Sequence, residues 1–332
     1  FPILLRRRAI IAAESGKPYD LINVHEPSAA AICMSKSVAG NPVVVVTTYG
    51  VEQRGWELSL EELRLGRHGP TLKSRVSYPL TSLWQSRIGL RRADHILCKN
   101  LEDRDYLIRR LKIPEANITH FCPGADLIYA SNAARRDYSR YGRILFAGTW
   151  LKRKGTEDLV PAFSALARRY SELSLTVLGG PTEEQVMRDF PEDIRSRVTS
   201  VITANEAENA GVYATTDIFV LPSLFEGTPL TLIEAMMSGM PIVTTATCGM
   251  KDVIDDGNTG LLVGIRSPES IIAAVDRLIS DPALRAKMGR SAQERALTEH
   301  TWERAAAPVE ELYQRLCERR TSLIPDLAVG AL

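Results

Sequence analysis

The sequence predicts an α/β protein built on two parallel sheets. Three observations carry that expectation. Short apolar runs alternate with helical stretches along the whole chain, the pattern of strands joined by crossover helices. Several runs, such as Ile144-Leu145-Phe146-Ala147 and Ile218-Phe219-Val220-Leu221, are apolar throughout, as strands covered on both faces are. The 332 residues are also enough for two domains with substantial cores.

Residues 1–15 read as a helix that leads into a strand at 20–25, Asp20-Leu21-Ile22-Asn23-Val24-His25. Further strands are expected near 43–48, 94–98 and 118–122, and residues 127–142 read as a linker. Between them, residues 72–92 form a helical pattern that Pro79 should break, leaving a basic amphipathic second half with Trp84, Arg87, Arg91 and Arg92. Such a face suits contact with anionic lipid, and it equally suits core packing with arginine stems laid along apolar surface. The second domain opens on Gly142-Arg143-Ile144-Leu145-Phe146-Ala147-Gly148. Its other strands are expected near 174–179, 198–202, 217–221, 241–245 and 261–263. From about Pro268 to Glu318 the chain reads as helical, interrupted at Pro282 and at His300-Thr301-Trp302.

Composition narrows the class. The chain is 45% hydrophobic and 24% charged with a formal net charge of +1. No apolar run approaches the roughly 18 residues of a membrane span, and the opening apolar residues are followed, not preceded, by Arg6-Arg7-Arg8, unlike a signal peptide. Cys33, Cys98, Cys122, Cys248 and Cys317 are odd in number and widely spaced, which fits reduced thiols in a cytoplasmic protein better than a disulfide frame or a zinc site. The charge is uneven. Residues 1–140 hold 21 Lys/Arg against 14 Asp/Glu, and residues 141–332 hold 20 against 26. A basic half suits an anionic partner, and a chance surplus of arginine serves equally well.

The stretch Glu226-Gly227-Thr228-Pro229-Leu230-Thr231-Leu232-Ile233-Glu234 is the richest in chemistry. It follows a buried-strand pattern, with Thr228 placed as a helix N-cap and Pro229 as the first helical residue. A helix start at the carboxyl end of a parallel strand presents free N–H groups and a positive dipole end, which suit a phosphate. Glu226 and Glu234 bracket that point. A diphosphate carrying hydroxyl-rich groups at both ends would meet all three features, and a nucleotide-sugar is such a ligand.

This stretch resembles the E-x7-E signature of retaining glycosyltransferases with two Rossmann-like domains, the GT-B fold, especially glycosyltransferase family 4. Ala93-Asp94-His95-Ile96-Leu97-Cys98-Lys99-Asn100 and Pro123-Gly124-Ala125-Asp126 are similar to two further family motifs, and the resemblance spans about residues 15 to 320. It implies two domains facing across a cleft: an acceptor-side domain at 1–140, a nucleotide-sugar domain at 141–301, a C-terminal helix at 302–320 crossing back to the first domain, and a tail at 321–332. It implies that Glu226 meets the donor sugar, that Glu234 holds the ribose hydroxyls, and that Gly227, Thr228, Leu230 and Thr231 lie along the diphosphate. Gly148-Thr149-Trp150-Leu151-Lys152-Arg153-Lys154-Gly155 matches the family's basic loop, whose Arg and Lys neutralise the diphosphate. Lys154 keeps the Lys, Thr149 replaces the Arg, and Arg153 is the candidate substitute. On the acceptor side, Tyr49 stands where a His is common, and His25-Glu26 at the end of the preceding strand would line the same cleft. Gly179-Gly180-Pro181 is too short a pattern for a dinucleotide fingerprint.

The implied activity is retaining transfer of a sugar from a nucleotide-diphospho-sugar to a hydroxyl of a glycan or lipid-linked acceptor. No metal or cofactor is expected, nor any nucleic acid, and the setting would be cytoplasmic or peripheral at the inner membrane face. A non-catalytic partner subunit on the same fold, or a nucleotide-sugar epimerase or phosphorylase, remains the alternative. The family's Gly-rich loop and about two βα units normally precede the first strand seen here, so roughly 60 residues of opening structure are expected to be missing.

Overall fold

The computed structural model describes residues 2–131 and 133–323. The chain divides into two units, one made of Phe1–Phe121 with the chain from Ala306 onward, the other of Cys122–Ala305. Both are α/β with parallel sheets.

In the first unit, strands β1 (Leu21–His25), β2 (Val43–Thr47), β3 (His95–Cys98) and β4 (Ile118–His120) form one parallel sheet in the order β1-β2-β3-β4. The all-apolar run of β2 is explained by its position. Alternate side chains point to opposite faces, and both faces are covered. Val44 and Val46 join a cluster with Ile22, Val24, Ile32 and Ile96. Val43 and Val45 join Leu97 and Leu312, the last carried by the helix Trp302–Leu323. That helix therefore covers one face of the first sheet.

Residues 72–92 differ from expectation. Pro79 does not end the helix there. Leu72–Tyr78 runs through a π-helical turn at Pro79–Leu83 into Trp84–Arg92. A π-turn widens the ring of backbone bonds and so accommodates the missing N–H of proline.

In the second unit, β5 (Arg143–Ala147), β6 (Ser174–Leu178), β7 (Val198–Val201), β8 (Ile218–Leu221), β9 (Ile242–Thr245) and β10 (Leu261–Val263) form a six-stranded parallel sheet. The order is β10-β9-β8-β5-β6-β7. The chain leaves β5 toward β6 on one side and later returns to place β8 on the other. Adjacent β5 and β8 therefore mark the point where strand order reverses, and the crevice beyond their carboxyl ends is where open α/β sheets bind ligands.

The division between units falls at 121/122, earlier than the 140/141 boundary expected from sequence, and the intervening residues belong to the second unit. Ala125 forms a parallel bridge with Thr301, and Tyr129 is buried in the second core. Arg136 donates to the carbonyls of Tyr213, Thr216 and Ser238, and Tyr138 Oη donates to the Gly239 carbonyl. These bonds make the expected linker an integral edge of the second unit. Among the described residues no helix is long and apolar enough to cross a membrane.

Candidate donor site and the edge of the first sheet

Two loops meet at the β5–β8 reversal. The loop after β5 makes a short 3₁₀ turn at Lys152–Lys154 and ends on Gly155 with φ +76°. Glycine is required there twice over. The left-handed backbone disfavours any side chain, and an added Cβ would lie 1.9 Å from the Pro222 carbonyl oxygen. That close approach lets the basic loop lie against the loop after β8, and Leu224 N–H donates to the Arg153 carbonyl at 2.9 Å to fasten them.

The contact delivers charge to one point. Lys154 Nζ lies 2.6 Å from Glu226 Oε1, and Arg153 Nη1 lies 3.3 Å from the same oxygen. Arg153 Nη1 also donates to the Phe225 carbonyl at 2.6 Å. Glu226 is buried and Lys154 nearly so, whereas Arg153 is half exposed. The sequence-predicted trio of Arg153, Lys154 and Glu226 is thus brought together. Gly148, with φ +141°, lies under the lysine, since a Cβ there would sit 3.6 Å from Lys154 Nζ. Thr149 is exposed, and the guanidinium in this cluster comes from Arg153.

The helix after β8 runs Leu230–Met237, one residue later than expected. Pro229, in extended conformation, is its N-cap and makes no side-chain cap bond; Thr228 precedes the cap rather than forming it. Proline has no N–H of its own and fixes φ, which sets the entry into the helix. Gly227 and Thr228 are buried beneath a second close approach, where Gly249 N–H donates to the Gly227 carbonyl at 2.9 Å. Leu230 is exposed and Thr231 half-buried at the helix start.

Glu234, one turn further along, is held by a residue that sequence reasoning missed. Tyr213 Oη donates to Glu234 Oε2 at 2.6 Å. Burial raises the Glu234 carboxyl to about 7; the Tyr213 bond opposes that rise and the Glu206 carboxylate adds to it. A tyrosine 21 residues earlier on another helix gives no sequence signal for this contact.

At the carboxyl end of the first sheet, His25, the last residue of β1, and Tyr49, just after β2, meet edge to face, with ring centroids 4.7 Å apart. Lys99, at the end of β3, is buried with its ammonium 3.6 Å from the centroid of the Tyr49 ring, a cation–π contact absent from the sequence expectations. Glu26 does not line a surface. It is buried, accepting from Glu52 N–H at 3.1 Å and from the Ser86 hydroxyl, while among the described residues its Oε2 has no hydrogen-bond partner. Burial pushes its carboxyl up to about 8, so it is uncharged at neutral pH.

A family model described as glycosyl transferases group 1 matches residues 133–295, and one described as glycosyltransferase family 4 matches residues 1–129. The chain is 29% identical over 240 residues to the alpha-D-kanosaminyltransferase of Streptomyces kanamyceticus, covering 69% of this chain and 62% of that protein. It is 34% identical over 221 residues to the D-inositol 3-phosphate glycosyltransferase of Pseudarthrobacter chlorophenolicus, covering 62% and 52%. The match therefore spans only about half to three-fifths of these relatives. Among solved structures, sucrose-phosphate synthase of Thermosynechococcus elongatus is similar with a TM-score of 0.76 at 22% identity, covering 94% of this chain and 77% of that one. Anabaena HepE in complex with UDP-glucose is similar with a TM-score of 0.69 at 15% identity, covering 96% and 82%. At these identities the structural likeness establishes the GT-B fold alone.

Proposed function

Because this chain belongs to the group 1 glycosyl transferases of family 4, we propose that it moves a sugar from a nucleotide-diphospho-sugar to a hydroxyl of a glycan or lipid-linked acceptor, with retention. The observation that carries this reading is the convergence of Lys154, Arg153 and Glu226 at the β5–β8 reversal, beside the start of helix Leu230–Met237. The two cations share one carboxylate oxygen. An arriving diphosphate offers them more charge. Lys154 and Arg153 turn to it, and Glu226 is released to accept hydrogen bonds from the donor sugar's hydroxyls.

In the proposed reaction the bond between the anomeric carbon and the diphosphate oxygen breaks, and the bond to the acceptor oxygen forms on the same face. The acceptor proton goes to the departing diphosphate, so no side-chain base is needed. The charge that develops lies on the leaving group, where fixed cations and N–H groups are most effective. His25 and Tyr49 are assigned to the acceptor side; Tyr49 supplies a hydroxyl that donates rather than a base. The reading calls for no metal and no nucleic acid. A cytoplasmic setting fits the five unbridged cysteines.

The test is a panel of nucleotide-sugars scored by calorimetry, followed by the anomeric configuration of the product with the best binder. A product of inverted configuration refutes retention. Binding without turnover supports a partner subunit, and release of free sugar or an epimer without acceptor supports the epimerase or phosphorylase alternative.

A second reading concerns the surface of residues 72–84. Leu72, Val76 and Leu80 recur every fourth residue and are exposed, with Trp84 continuing the row and Lys73 and Arg75 beside it. We propose peripheral contact with anionic lipid through this row. Equal sedimentation of wild-type protein and Leu72→Glu/Leu80→Glu with anionic vesicles refutes it.

A further inference from the structure

Tyr213 is wholly buried, yet its hydroxyl reaches Glu234 Oε2 at 2.6 Å and the Thr231 carbonyl at a looser 3.4 Å. Two rings fix its direction. Tyr129 stands nearly perpendicular to it, with centroids 5.2 Å apart, and Phe219 stacks beneath at 6.2 Å. Tyr129 in turn donates its hydroxyl to Glu206. Among the described residues Glu234 Oε1 makes no hydrogen bond, so the tyrosine engages one carboxylate oxygen and leaves the other available.

We propose that Tyr213 is the positioning residue for ribose recognition: its hydroxyl locks Glu234 in one rotamer, with Oε1 left to accept from the ribose hydroxyls of the donor. This rests on the assignment of Glu234 to the ribose in the reading above. The chemistry favours a phenol for the task. A glutamate side chain has three rotatable bonds, and a free carboxylate on a half-buried helix face loses that freedom on binding. A rigid phenol held by neighbouring rings removes the loss in advance. A phenol also donates only one hydrogen bond, so it cannot occupy both carboxylate oxygens as an arginine fork would.

The hydroxyl also governs when the clamp is charged. Glu234 ionises near neutrality because it is buried and faces Glu206, and the Tyr213 bond favours the ionised form. The phenol itself stays protonated, since burial and Glu234 push its own ionisation far upward.

The experiment compares uridine, adenosine and guanosine 5′-diphosphates with their 2′,3′-dideoxy analogues by calorimetry from pH 5.5 to 8.5, on the full chain. The quantity read is the affinity ratio of ribo to dideoxy ligand for whichever base binds best. In the wild type the ratio is expected to be roughly tenfold or more at pH 8, since each hydroxyl bonds a charged acceptor, and to fall below pH 7. Glu234→Ala should erase it. Tyr213→Phe should keep the dideoxy affinity, which also reports a folded site. It should reduce the ratio about three- to tenfold at pH 8 and move its midpoint about one pH unit upward. Should Tyr213→Phe fail to fold, 3-fluorotyrosine at 213 retains ring and hydroxyl as a stronger donor, and the midpoint should move downward instead. A wild-type ratio and midpoint in the Tyr213 variants, with Glu234→Ala erasing the ratio, overturns the positioning role while the ribose assignment stands. A ratio that survives Glu234→Ala overturns both.

Discussion

Gly155→Ala should damage the donor site although the residue carries no chemistry. Gly155 has φ +76°, and an alanine Cβ would lie 1.9 Å from the Pro222 carbonyl oxygen. The left-handed conformation alone costs an alanine about 1 kcal/mol. The overlap adds displacement: restoring even a tight 3.0 Å contact requires about 1.1 Å of separation between the two loops. That movement strikes at the Lys154–Glu226 pair, which is 2.6 Å apart, and at the Leu224–Arg153 backbone bond of 2.9 Å. Catalytic groups displaced by about 1 Å can lose about 10²-fold in rate. The expected result is a fall of a few degrees in Tm together with a rate loss on the order of 10²-fold. Thermal melts and initial rates on one preparation check both. Full activity in a variant whose Tm has dropped would show that the close approach does not set the position of Lys154. An unchanged Tm would show that the two loops are not held as tightly as described.

Two other perturbations follow from the same structure. Lys154→Ala should reduce turnover more than Arg153→Ala, roughly 10²- to 10³-fold against about tenfold, because Lys154 is enclosed beside Glu226 while Arg153 is half exposed and already donates to the Phe225 carbonyl; rates in the reverse order would assign the principal diphosphate contact to Arg153. Glu26→Gln should flatten the dependence of stability on pH. The folded carboxyl is raised to about 8 by burial, against 4.5 unfolded, so the native state holds the extra proton between those values. Stability from this group is therefore full below pH 4.5 and declines as pH rises toward 8. The wild type should lose on the order of 2–4 kcal/mol across that window relative to the glutamine variant, and parallel pH profiles in urea melts would exclude a protonated Glu26.

The strands were legible because parallel sheets demand apolar residues on both faces, and Val43–Thr47 or Ile218–Leu221 allow little else. The basic loop and the Glu226 stretch were each legible through their motifs, since each follows a strand at a short fixed interval, but the ion pairs between them were not. What escaped was everything set by tertiary approach. Nothing near Glu234 announces Tyr213, and nothing near Lys99 announces the ring of Tyr49. Glu26 reads as a polar strand end, yet Ser86 and Glu52 N–H close over it. Residues 127–142 look like a polar tether because arginine is usually a surface residue. Arg136 instead satisfies carbonyls 77, 80 and 102 residues further along the chain, a role visible only once the sheet exists. The helix onset moved by one residue because an extended Pro229 ends the loop where a threonine cap was expected.

The cover that helix Trp302–Leu323 provides for the first sheet bears on the order of synthesis. A ribosome delivers residues 21–120 long before Leu312, so the face bearing Val43, Val45 and Leu97 emerges without its lid. All of Cys122–Ala305 is translated in the interval and can complete its own sheet. At about 5–20 residues per second, the nearly 200 intervening residues keep that apolar face waiting for roughly 10–40 seconds. Until Leu312 leaves the exit tunnel, that face of the first sheet lacks the packing partner that helix Trp302–Leu323 supplies.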